Sequence, residues 1–366
     1  MTRVAVAVLG FIFAFNCVAV AQVRRSTPDT SAAQAWTAVQ ERRFGDALDV
    51  FVVASGADPA NPSLAAGAGL AAFMLGRDDE ARTWLERALK LAPGYADASL
   101  LLGEVLYRGG RLQDAIAVYE GARKHNPDTM LFGEKIDQWS REAERQQGLY
   151  ESRGTHFSVK FEGPADEMLA RRAVEMLESA YWRVGSALTV YPAQPITTLL
   201  YTAQQFRDVT RSPEWAAAAY DGRIHVPTQG ALDRPEELER VLTHEFVHAL
   251  VATLAGRNVP VWLNEGLATV FESGELAGGR TLAASSDGQS PSLTRLEGSF
   301  GRLSAADART AYSLSGRAVQ KMLQLRGAPA IVMLLQDVGR GVPFASAFQQ
   351  RIAMRYEDFQ LIVARE

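Results

Sequence analysis

A 34-residue period runs through residues 34–127, and it restricts the fold more than any other feature of the chain. Ala47, Ala81 and Ala115 recur at this interval, as do Phe51, Leu85 and Tyr119, and Ala54, Ala88 and Ala122. Gly76 and Gly110 share it, and Pro59, Pro93 and Pro127 close successive units. Two antiparallel helices per unit satisfy this pattern. Small Ala and Gly let the helices approach closely, and the large residues fill the space between neighbours. Proline ends the second helix because it cannot continue the hydrogen-bond ladder. Two units are clear, at about 62–95 and 96–129, and the first, at about 32–61, is degenerate in its leading helix. Phe132, Ile136, Trp139 and Ala143 then recur at helical spacing, which predicts a helix capping the stack and connecting it onward.

The period and its residues resemble the tetratricopeptide repeat. The resemblance implies an α-solenoid over residues 34–150 that binds proteins or peptides.

The pattern changes at Gly154. Residues 155–161 alternate polar and apolar, as a half-buried strand does. A long amphipathic helix follows over 165–190, then a strand at Ile196–Tyr201 and a short helix at Gln204–Val209. Residues 220–223 read as a turn and 224–227 as a third strand, with Pro227 placing it at an edge or ending it there. Pro235, with Glu236, Glu237 and Glu239, opens the next helix, since acidic residues favour a helix N-terminus. Residues 274–302 are rich in Gly and Ser and read as loop beside a cleft. The remainder reads as helices over about 306–325, 328–338, 343–352 and 356–365.

Two segments carry the chemistry. In Thr243-His244-Glu245-Phe246-Val247-His248 the two histidines lie four apart, so a helix places both imidazoles on one face. With sixteen residues between it and His248 comes Glu265, within Trp262-Leu263-Asn264-Glu265-Gly266. That gap fits a helix end, a reversal through Gly256–Pro260, and a second helix returning antiparallel. Two neutral imidazoles and one carboxylate leave the fourth position of a tetrahedral zinc open, which is a catalytic arrangement. Glu245 cannot point with the histidines as a ligand, but it can reach a water held by the metal and act as general base.

These segments, with Gly222-Arg223-Ile224-His225-Val226-Pro227 and Ala311-Tyr312-Ser313, resemble the gluzincin metallopeptidases and, over 153–366, the peptidase-MA-like domain. The resemblance implies a zincin-type α+β domain with a small sheet and a helical C-terminal part. The chain as a whole is then α+β, mostly α. It implies Zn2+ held by His244, His248 and Glu265, a peptide or protein substrate, and substrate backbone added along strand 223–227. An oxyanion donor comes from a later segment in related enzymes. Tyr312 is the first choice, with Tyr220 and His225 behind it, and His225 reads equally as a surface side chain on an edge strand. The sequence departs from the pattern at Thr269, where many zincins carry an acidic residue that buttresses the first histidine. Asn264 is placed either to orient His248 or to cap its helix.

Composition sets the surroundings. The net charge of −4 has no long basic or acidic block, which excludes an electrostatic nucleic-acid partner. Arg3 and the apolar run from Val4 to Phe15, with Ala19-Val20-Ala21 behind it, read as a secretory signal peptide over 1–21. Residues 22–33 read as a flexible tether. Cleavage near Ala21 removes the only cysteine, Cys17, and leaves no stable membrane span. The expectation is an exported protein, periplasmic or secreted: a zinc peptidase whose repeats bind a protein partner. The alternatives are a catalytically weak or inactive scaffold, and a metal-dependent hydrolase of a non-peptide amide.

Overall fold

The computed structural model describes residues 30–127, 130–163, 166–202, 219–227, 234–272, 292–300 and 303–365. The segment read as a signal peptide, most of that read as a tether, the expected short helix at 204–209 and most of the expected loop at 274–302 lie outside these residues.

Seven helices form the repeat stack: α1 (Thr30–Gln40), α2 (Phe44–Ala57), α3 (Pro62–Met74), α4 (Asp78–Leu91), α5 (Ala96–Arg108), α6 (Leu112–His125) and α7 (Met130–Gln146). The period of the sequence becomes a period of backbone geometry. The turns inside the three units place Arg42, Gly76 and Gly110 at φ of 58°, 75° and 74°. Arg43, Arg77 and Arg111 follow at φ near −90° and start the second helix of each unit. Phe51, Leu85 and Tyr119 are fully buried, as are Ala47, Ala81 and Ala115. Each large side chain presses on backbone that has no Cβ to spare. A Cβ on Gly69 would lie 2.6 Å from Leu85, and one on Gly103 2.1 Å from Tyr119. Helix α7 buries Phe132, Ile136 and Trp139, and the Trp139 ring lies 4.7 Å from Tyr119 and stacks at 5.0 Å on Tyr107. Burying each such ring contributes roughly 1.5–3 kcal/mol, so α7 closes the stack as a cap should.

Five strands follow: β1 (Tyr150–Arg153), β2 (Phe157–Phe161), β3 (Ile196–Tyr201), β4 (Ala219–Tyr220) and β5 (Ile224–Pro227). Their order is β1-β2-β3-β5-β4. The three inner strands are parallel and both edge strands antiparallel. Strand β1 is not foreseen in the sequence, because its four residues are largely exposed and carry no alternation. It brings the start of the sheet to Tyr150. Strand β5 does end at Pro227, but β4 pairs with His225 and Ile224, so those two residues are not on an edge. Helix α8 (Glu167–Leu188) crosses between β2 and β3 and packs on both β2 and the next helix.

The last part is helical. α9 (Pro235–Ala255) and α10 (Val261–Phe271) form a hairpin, followed by a 3-10 turn at Leu293–Leu296. Then come α11 (Ala305–Gly339), α12 (Phe344–Ile352) and α13 (Tyr356–Arg365). Helix α11 is broken at Gly327, whose φ of 72° and ψ of 173° fall outside any helix, with Pro329 starting its second half. The described chain is therefore predominantly helical, with one small mixed sheet. One apolar core runs through residues 35–143 and a second through 157–363. No helix among the described residues is long and apolar enough to cross a membrane.

Candidate metal centre

The hairpin of α9 and α10 builds the site. Proline at the first position and two acidic residues in the first turn start α9, and Gly256, at φ 62°, ends it. After four intervening residues α10 begins, so the reversal falls where the spacing of the two segments places it. The two helices are fixed to one another from behind. Arg183 on α8 donates to Thr243 Oγ1 at 3.1 Å on α9 and to the Phe271 carbonyl at 3.3 Å on α10. On the other side α11 approaches α10 so closely that a Cβ on Gly266 would lie 2.4 Å from the Ser315 carbonyl. Any side chain at 266 would push α11 away from Glu265.

His244, His248 and Glu265 converge, with one donor atom of each within 4.8 Å of the others. His244 Nε2 is 3.6 Å and His248 Nε2 3.5 Å from Glu265 Oε2. The two imidazole rings are 4.9 Å apart and inclined at 68°. All three residues are at most 2% exposed, as is Glu245. The separations are long for hydrogen bonds. They are close to the ~3.3–3.4 Å between neighbouring donors around a tetrahedral zinc whose bonds are 2.0–2.1 Å. His244 Nε2, both ring nitrogens of His248, Glu265 Oε2 and both oxygens of Glu245 are buried without a hydrogen-bond partner. Leaving one such group unpaired costs about 1–3 kcal/mol. Six in one place fit a site made to receive a cation and a polar ligand.

The electrostatics are those of ionisable groups buried together. Burial pushes the Glu245 carboxyl up to about 7, against the opposing pull of His248 and His244. Burial would lower His244, yet the Glu265 and Glu272 carboxylates outweigh it and push the imidazole up to about 10. Glu265 is lowered despite its burial because both histidines face it.

The buttress missing at Thr269 is supplied by Glu272. Its Oε2 lies 2.7 Å from His244 Nδ1, while Arg240 holds its Oε1 at 2.9 Å. Glu272 stands seven residues after Glu265, two helical turns further on the same face, and that spacing was the available signal. The pair leaves His244 Nε2 as the free nitrogen, turned to Glu265. Asn264 neither orients His248 nor caps its helix. Its Oδ1 is buried without a partner, and the first turn of α10 closes through backbone bonds to Pro260.

Tyr312 on α11 is buried, with its ring 6.4 Å from His244 and 5.4 Å from Phe300. The other two oxyanion candidates are engaged with partners of their own. Tyr220 sits among Arg108, Arg257, Asp221 and Asp78 at the junction with the stack, and burial pushes its phenol up to about 12. His225 is fully buried and not a surface side chain. It pairs with Asp221 at 2.9 Å and stacks on Tyr201.

Comparison with known proteins bears on the first half of the chain. No curated protein matches significantly. Among solved structures, the first TPR domain of Spaghetti (RPAP3), bound to the HSP90 peptide SRMEEVD, aligns at 20% identity. That alignment has a TM-score of 0.30 and covers 31% of this chain and 94% of that one. A tetratricopeptide-repeat family model matches residues 32–96 and 85–128. With the repeated turn geometry and the alternating helix pairs, that match makes the stack over residues 32–128 an array of tetratricopeptide repeats.

Proposed function

We propose that the chain is an exported zinc-dependent peptidase in which His244, His248 and Glu265 hold the metal and Glu245 is the general base. The observation that supports this most directly is the set of buried, unpartnered donor atoms on these four residues. A zinc ion bound there supplies Lewis acidity, polarising a carbonyl and acidifying a water. The chain's own groups do the rest. Glu245 takes a proton on its carboxylate from the attacking water and gives it to the leaving amine. Glu272 and Arg240 fix the ring of His244. The phenol of Tyr312, beside the cluster, donates to the oxygen on which charge develops. Burial of all four core residues keeps bulk water from competing for these contacts.

The repeat match favours a second reading, in which protein interaction is the main activity and the metallopeptidase-like part is a scaffold. Glu245→Gln separates the two. In the peptidase reading this variant keeps about one zinc per chain and loses about 10²–10⁴-fold in peptide hydrolysis. An unchanged rate would overturn the mechanism. A wild-type protein that binds a partner but cleaves nothing across a broad peptide library would establish the scaffold. N-terminal sequencing of the mature protein tests export, with a new start near residue 22 as the expected result.

A further inference from the structure

The stack and the metal-binding part meet along one edge, and the meeting repeats with the period of the stack. Phe73 and Tyr107 hold the same place in successive units, near the end of the first helix. Each ring is covered by an arginine from the other half of the molecule. The Arg257 guanidinium lies 4.1 Å from the Phe73 ring, and that of Arg223 lies 4.5 Å from Tyr107. Each arginine also finds a carboxylate on the stack. Arg257 grips Asp78 with two bonds of 2.7 and 2.8 Å, and donates to the Phe73 carbonyl at 2.7 Å. Arg223 lies 3.0 Å from Glu142, which also accepts from the Tyr107 hydroxyl at 2.9 Å.

Backbone contacts join the same places. The Arg257 amide donates to the Met74 carbonyl at 2.9 Å. A Cβ on Gly256 would lie 2.5 Å from the Leu75 carbonyl, and one on Gly222 3.1 Å from that of Arg108. Asn258 and Arg42 bond reciprocally at 3.0 and 3.1 Å, so the turn of the first unit is held too.

The geometry points to an arginine-receiving surface on the repeats whose resident ligand is the chain's own metal-binding half, held by Arg257 and Arg223 as an intramolecular clamp. Where the two arginines sit gives the clamp its consequence. Arg257 lies in the reversal between α9, which carries both histidines, and α10, which carries Glu265. Arg223 directly precedes β5. The repeats thus brace the loop that sets the distance between the two ligand helices. Their aromatic positions at 73 and 107 are already taken, and an outside partner meets the stack elsewhere. The effect on metal binding rests on the proposed zinc site, whereas the clamp itself does not.

The test is a charge swap in the full chain, read by amide hydrogen exchange over residues 256–260 and by zinc affinity in competition with a chromophoric chelator. Arg257→Asp and Asp78→Arg alone are each expected to speed exchange in this loop and weaken zinc binding about tenfold, mid-range for groups that share a network. The double variant Arg257→Asp with Asp78→Arg is expected to recover most of both. Glu142→Gln and Arg223→Gln are expected to speed exchange over 222–227 without unfolding the stack. Unchanged exchange in both single variants, or no recovery in the double, would overturn the clamp. A wild-type chain that binds no zinc while the swap still restores exchange would remove the zinc site and leave the clamp standing.

Discussion

The repeat stack scatters its unpaired buried polar atoms, such as Ser55 Oγ and Trp139 Nε1, whereas the α9–α10 hairpin gathers six of them on four neighbouring side chains. Inside the stack the core is Ala, Leu and aromatic rings, and its tyrosine hydroxyls are paired: Tyr119 to the Leu100 carbonyl and Tyr107 to Glu142. In the hairpin, His244, Glu245, His248 and Glu265 are all buried, with six of their polar atoms left over. A structure optimised only for stability resolves such groups. The stack is built to hold a shape, whereas the hairpin gathers donors that the proposed zinc would pair.

The largest effect should come from supplying what the hairpin lacks. Zinc at a thousandfold excess over its Kd is expected to raise the free energy of unfolding by about 4 kcal/mol. Denaturant titration with zinc and with chelator measures this. An equal midpoint in the two conditions would break the contrast, since the unpaired donors would then have no ligand to explain them.

Next in size is Glu272→Gln. A carboxylate that orients a ligand imidazole is worth about 10–100-fold in metal affinity. Glu272 is the residue in that place, bonded to both His244 and Arg240. The amide can still occupy the site but holds the His244 proton less strongly. Chelator competition reads the loss, and Thr269→Asp in the same chain is the natural attempt at recovery. A Glu272→Gln protein with wild-type affinity would show that His244 needs no buttress.

What the sequence disclosed follows the same division. The stack is legible because each of its contacts repeats: Phe51, Leu85 and Tyr119 announce one another at a fixed interval. The convergence of His244, His248 and Glu265 is legible because it needs one helix and one reversal, both local. Relations between distant segments are not. Glu272 is not legible because Thr269 occupies the expected position and the carboxylate comes one turn later. Asn264 stands beside a ligand candidate in the sequence, yet the fold gives it neither His248 nor the helix end. His225 reads in the sequence equally as an oxyanion donor or a surface side chain, because nothing nearby reveals β4 beside it or Tyr201 stacked on it. The clamp was hidden for the same reason: Arg223 and Arg257 are ordinary arginines until the stack is placed against them.

The smallest effect tests whether the stack is as tightly filled as its period implies. Glycine inside a helix costs about 1 kcal/mol relative to alanine, so replacing it normally stabilises. Gly121 on α6 has nothing within 4 Å of a new Cβ, and Gly121→Ala should gain roughly that amount. Gly103 on α5 should behave the other way. Its Cβ would lie 2.1 Å from Tyr119. That ring cannot retreat, because Phe132 stands 5.3 Å and Trp139 4.7 Å from it and its hydroxyl is bonded to Leu100. Overpacking of this kind costs about 1–3 kcal/mol. Set against the gain in helix propensity, Gly103→Ala should destabilise by about 1 kcal/mol. Denaturant midpoints of the two variants, measured side by side, give opposite signs if the stack is packed as described, and the same sign if Tyr119 can move.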